Sequence, residues 1–121
     1  MSDKTTSDAE LLTSFAEEAR RRCDVITAGL ATETEDFETL RMEAHALKGA
    51  AGVVGLRRLA ELAGLMESDL AEAKTTGTIR GGRTHQIADA AKAIAEGAAA
   101  AAKGEEEPPD VGRSLAQLFS A

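Results

Sequence analysis

Apolar residues return every three or four positions through four successive stretches of this chain. A helix of 3.6 residues per turn gathers such positions on one face, whereas a strand needs strict alternation. Each stretch is therefore predicted to be an amphipathic helix with one side to bury. The first carries Leu12, Phe15, Ala19, Cys23, Ile26 and Leu30, opens on an S-x-x-E capping box at Ser7 and Glu10, and ends near Gly29 to Ala31. Thr32 and Glu35 form a second capping box, before a stripe of Phe37, Leu40, Ala44, Leu47, Ala51 and Val54. Met42, Ala46, Ala50 and Val53 add a second apolar flank. This helix is predicted to be enclosed over most of its circumference and to stop at Gly55. A third helix runs from about Leu56 to Ala73, with Leu59, Leu62, Met66, Leu70 and Ala73 facing inward. Turn chemistry follows from Thr75 to Gly82, and then a fourth, alanine-rich helix after Thr84 with Ile87, Ala91, Ile94, Ala98 and Ala101 inward.

Beyond it, GEEEPPD (Gly104 to Asp110) reads as a linker, since prolines and like charges oppose helix. Val111, Leu115, Leu118 and Phe119 fall on one side of a short amphipathic stretch, and the pattern leaves open whether that stretch packs or hangs free. The expected fold is all-α: an antiparallel up-down four-helix bundle with an additional short C-terminal helical segment. Its expected parts are a flexible N-terminus over 1–7, the bundle over 8–103, and a linker with amphipathic tail over 104–121.

Composition agrees. The chain has 121 residues, enough for one domain, with three Phe and neither Trp nor Tyr. Strands favour aromatic and β-branched residues, so the poverty of aromatics points away from sheet. A formal net charge of −7 disfavours phosphate backbones and anionic lipid, and hence nucleic acid or membrane partners. The one cysteine allows no internal disulfide and, with two histidines, no zinc cluster of usual spacing. With neither a signal-peptide layout nor an apolar run of spanning length, a cytoplasmic location is expected.

The second helix is anomalous. It holds two interior glycines, Gly49 and Gly52, each costing about 1 kcal/mol relative to alanine. At 100° per residue, Arg41, His45, Lys48, Gly49 and Gly52 share the strip away from the apolar stripe, with His45 roughly 130° from its centre. The imidazole should therefore stand in water beside positions without side chains, where another protein can come close. A neutral imidazole is a good nucleophile near pH 7. Lys48, three residues on, can reach oxygens of a phosphate carried by the ring, and Gly49 leaves the in-line approach clear. These parts suit a phosphoryl acceptor.

HALKGAAGVVGL, from His45 to Leu56, resembles the signature of histidine-containing phosphotransfer (HPt) domains, the relay modules of two-component phosphorelays. The matching positions are His45, Leu47, Lys48, Gly49, Ala50, Ala51 and Gly55, and LRRLAELAGLMESDL is similar to the helix that succeeds the motif. The resemblance covers roughly residues 9 to 102 and leaves 104 to 121 outside. It implies a four-helix bundle in which His45 accepts a phosphoryl group at Nε2 from a phospho-aspartyl receiver domain and passes it to another response regulator. It further implies that Lys48 assists electrostatically and that Gly49 and Gly52 give clearance; Arg41 is expected to be partner-binding from its place on the same strip of the helix, with Gly49 and Gly52. Receiver domains and a hybrid histidine kinase are the implied partners. No cofactor is expected on this chain, Mg2+ belonging to the receiver only. Family members often carry Gln, Ser or Asn around the position of Gly52, and the plainer Ala-Gly-Val-Val here leaves fewer polar groups near the ring.

Other readings are weaker. There is no phosphate-binding loop and no ATP-binding module, so the chain is expected to be a phosphocarrier and not an enzyme. A helical adaptor that binds a receiver or kinase through the same face without being phosphorylated is the alternative. The phosphoacceptor piece of a chemotaxis-type kinase is a third. His85 has no Lys-Gly after it and reads as structural or idle; Cys23 reads as core packing. A monomer is expected, because an enclosed second helix offers no further apolar face.

Overall fold

The computed structural model describes residues 8–32 and 36–119, and every regular element among them is helical. Five helices follow in order: α1 (Asp8–Ala31), α2 (Phe37–Val53), α3 (Arg57–Thr76), α4 (Thr84–Ala102) and α5 (Pro109–Phe119), with a single 3-10 turn at Arg80–Gly82. The expected flexible segment 1–7, and with it Ser7 of the first capping box, lies outside the described residues. α1 packs on α4 and α2, α3 on α2 and α4, and α5 on α3 and α4.

The apolar stripes form the core. Ile26, Leu47, Leu62, Met66, Leu70, Ile87, Ile94 and Val111 are its largest fully buried side chains. Burial of each is worth on the order of 1.5–3 kcal/mol against leaving it in water. α2 contributes only Leu40, Ala44, Leu47 and Ala51 to the buried set. Its second flank stays open: Met42 is 56% exposed and Val53 83%. The predicted enclosure therefore belongs to another helix. α4 buries Ile87, Ala90, Ala91, Ala93, Ile94, Gly97, Ala98 and Ala100, because α5 covers the side that α1 and α3 leave free.

One helix end differs from expectation, and two others share one geometry. α2 is capped by Asp36, whose carboxylate accepts from the Thr39 amide at 3.2 Å and the Thr39 hydroxyl at 2.6 Å. Thr32 instead turns its hydroxyl back to the Gly29 carbonyl, closing α1, while Glu35 lies outside the described residues. The α2–α3 corner is a Schellman motif: the Leu56 amide donates to Ala51 and the Gly55 amide to Gly52, with Gly55 at φ 80°, where a Cβ is unfavourable. The end of α4 repeats this geometry around Gly104, at φ 71°.

α5 starts inside the segment read as linker, with Pro109 as its first residue. A proline tolerates that position, since its missing N–H would have no intrahelical partner there. The amphipathic stretch packs. Val111, Ser114 and Leu118 are buried and Leu115 is partly so. Phe119 departs from the expected stripe and is 81% exposed, because one step past Leu118 turns it about 100° out of the seam. Arg83, nearly buried at the start of α4, donates to the Leu118 carbonyl at 2.7 Å and lies 3.2 Å from Asp69 of α3. One guanidinium thus joins three helices.

Candidate functional site

His45 sits midway along α2, on the side turned toward α3 but outside the core. Its side chain is 66% exposed. Nδ1 lies 2.9 Å from Oε2 of Glu67, on α3. A carboxylate can only accept, so this bond needs the proton on Nδ1, an arrangement that in the neutral ring leaves the lone pair on Nε2. Among the described residues Nε2 has no hydrogen-bond partner, and it faces water. The sequence missed Glu67, which lies 22 residues away and looks like any acidic residue on a solvated helix face. It supplies the polar partner that the Ala-Gly-Val-Val stretch lacks.

Gly49 and Gly52 are bare by more than composition. A Cβ built on either would meet nothing within 4 Å, so tight packing inside this chain does not account for them. Met42, Ala46, Gly49 and Val53 follow at steps of four, three and four, making a shallow apolar strip beside the imidazole. Lys48 is half-exposed, its Nζ 3.8 Å from Oε1 of Glu67. Its stem lies over Gly64 of α3: a Cβ there would stand 3.5 Å from the Lys48 Cδ. Sequence reasoning passed over Gly64 as well.

Arg41 is placed differently from the open strip. It forms two bonds to Glu38, Nε to Oε1 at 2.8 Å and Nη2 to Oε2 at 2.9 Å, and its Nη1 is 3.3 Å from the Glu67 oxygen that His45 uses. Lys74 of α3 reaches Glu38 at 3.0 Å. Hydrogen bonds from Arg41, then Lys74, hold the Glu38 carboxyl down at about 2. The site is therefore one imidazole, two carboxylates and three cations along the α2–α3 seam. His85 is exposed on α4. Burial pushes the Cys23 thiol up to about 12, which suits packing and not reactivity.

Such a site offers an imidazole oriented by a carboxylate, a half-exposed ammonium beside it, and room for a large reactant. The Hpt domain family model matches residues 10–118. The chain belongs to the Hpt domain family. The match runs through α5, and thus takes in residues that the motif-based resemblance left outside. Membership assigns the chain a phosphotransfer role in two-component signalling, where Hpt domains work as phosphocarrier modules alongside receiver domains and histidine kinases. Searches among curated proteins and among solved structures gave no match. Among the described residues no helix is long and apolar enough to cross a membrane.

Proposed function

We propose that this Hpt domain is a relay intermediate: His45 takes a phosphoryl group from the phospho-aspartate of one receiver domain and gives it to another response regulator. The observation that carries this is the ring itself, held at Nδ1 by Glu67 with Nε2 toward water beside two glycines on which a Cβ would meet nothing within 4 Å. The Nε2 lone pair attacks phosphorus, the N–P bond forms, and the P–O bond to the receiver's aspartate breaks, its electron pair leaving on that carboxylate. The ring keeps its Nδ1 proton and becomes a phosphoimidazolium, whose positive charge Glu67 offsets at 2.9 Å. Lys48 swings from Glu67 to the phosphoryl oxygens, neutralising charge as the group transfers. Gly49 and Gly52 admit the receiver, and Met42 and Val53 give it apolar surface. Mg2+ is supplied by the receiver's acidic pocket, and no cofactor is needed on this chain.

The scaffold in this reading is an antiparallel up-down four-helix bundle, supported by the neighbour order of α1 to α4 and their short connections, with α5 added along α3 and α4. The chain works in the cytoplasm as a monomer, between a hybrid histidine kinase and its regulators. The exposed strip of α2 is kept for the receiver and not for a second copy. Light scattering that found a stable dimer covering His45 would remove that part of the reading.

The deciding experiment incubates the chain with a phosphorylated receiver domain. Label that survives alkali, is lost in acid and disappears in His45→Gln is the expected result. Label persisting in that variant would overturn the site. Binding without label across several receivers would leave the adaptor reading in its place.

A further inference from the structure

Arg41 and His45 converge on a single atom. Oε2 of Glu67 is 2.9 Å from His45 Nδ1 and 3.3 Å from Arg41 Nη1. A carboxylate beside an imidazole favours the protonated ring, and a cation on the same carboxylate opposes this. A ring protonated at Nε2 has no lone pair to attack with. A ring without a carboxylate loses the partner that offsets its charge after transfer. The useful condition lies between, and a guanidinium sharing the carboxylate oxygen provides it.

We infer that Arg41 is a positioning residue which, through Glu67, keeps the His45 ring neutral and so keeps Nε2 nucleophilic at working pH. The purpose rests on the reading of His45 as phosphoacceptor; the electrostatic coupling does not.

The surroundings fit this role. Arg41 is gripped from the far side by both oxygens of Glu38, which Lys74 also holds, so the guanidinium is fixed and not free to seek a partner protein. Glu38, with its carboxyl held at about 2, stays ionised throughout the pH range that matters for a histidine. The other charges facing the ring are Lys48 from α2 and Glu67 from α3. From α1, Arg22 reaches α2 at Glu43, which is two residues before His45 and so about 200° around the helix. That pair does not face the ring. The strip assigned to partner binding thus divides: Gly49 and Gly52 are open, and Arg41 is turned to the chain's own chemistry.

The test follows the two histidine rings by 15N NMR across pH 5 to 9 in the intact chain, with His85 as internal control. Arg41→Gln is expected to move the His45 midpoint up by about 0.5 to 1 pH unit and leave His85 where it was. Arg41→Lys restores most of the difference. In a Glu67→Gln background the same substitution has little effect, because the mediator is gone. The acid limb of the phosphotransfer rate from a phosphorylated receiver moves upward in Arg41→Gln by the same amount. An unchanged His45 midpoint, or a shift that persists undiminished without Glu67, overturns the inference. If the wild-type chain accepts no label at all, the relay reading fails while the ring titration still decides the coupling.

Discussion

Small residues crowd two regions of this molecule, and they do opposite things there. Along the α4–α5 seam they are met by the chain's own atoms: a Cβ on Gly97 would lie 2.9 Å from a Leu59 methyl and 3.2 Å from a Val111 methyl. On the outer face of α2, a Cβ on Gly49 or Gly52 would touch nothing. A glycine whose space is filled serves its own fold. One whose space is empty costs helix stability and gains no packing within the described chain. Residue type and composition do not separate them, since all three are interior helical glycines among alanines; only the helix face each occupies does.

The comparison breaks most sharply at the seam. Arg83→Met leaves Asp69 without its buried cation and the Leu118 carbonyl without its donor, and should destabilise by about 3 kcal/mol in chemical denaturation. Burial already pushes the Asp69 carboxyl upward, with Arg83 and Arg80 opposing. Gly97→Val should cost about 2 kcal/mol by forcing Leu59 and Val111 apart. Gly49→Ala and Gly52→Ala should do the reverse, each stabilising by about 1 kcal/mol, with transfer from the receiver slowed. Destabilisation by either alanine would erase the distinction between the two regions.

A smaller effect tests the charged edge of the α2 face. The Glu38 carboxyl is held at about 2, below its ordinary 4.5, by Arg41 and Lys74. A group held low in the folded state contributes stability above its unfolded value, and that contribution is lost as pH falls from about 4.5 toward 2. Glu38→Gln should therefore flatten the acid limb of a stability–pH curve by lowering stability slightly near pH 7 and changing it least near pH 2.

The inward stripes were readable because helical period alone selects one face: Phe15, Ala19, Cys23 and Ile26, or Leu59, Leu62, Met66 and Leu70, are buried as spaced. The outward strip of α2 was readable by the same projection, which placed His45, Lys48 and the two glycines together. Met42 and Val53 misled, because apolar character says nothing about whether a neighbour arrives, and α5 arrives at α4 instead. Glu67 was unreadable for another reason. Its role comes from the facing of α2 on α3, a pairing that no local pattern states. Thr32 and Glu35 matched a capping box in spacing, yet Asp36, four residues after Thr32 and directly before the helix, is the residue whose carboxylate reaches the Thr39 amide.

Cys23 has a practical consequence. It is the only thiol in the chain, 2% exposed on α1 where that helix meets α4, and held as the unreactive neutral form. A dissolved alkylating reagent can reach it only when that contact opens. The rate of adduct formation is therefore a built-in clock for opening of the bundle, readable by mass spectrometry on unmodified protein and blind to whatever happens around the imidazole.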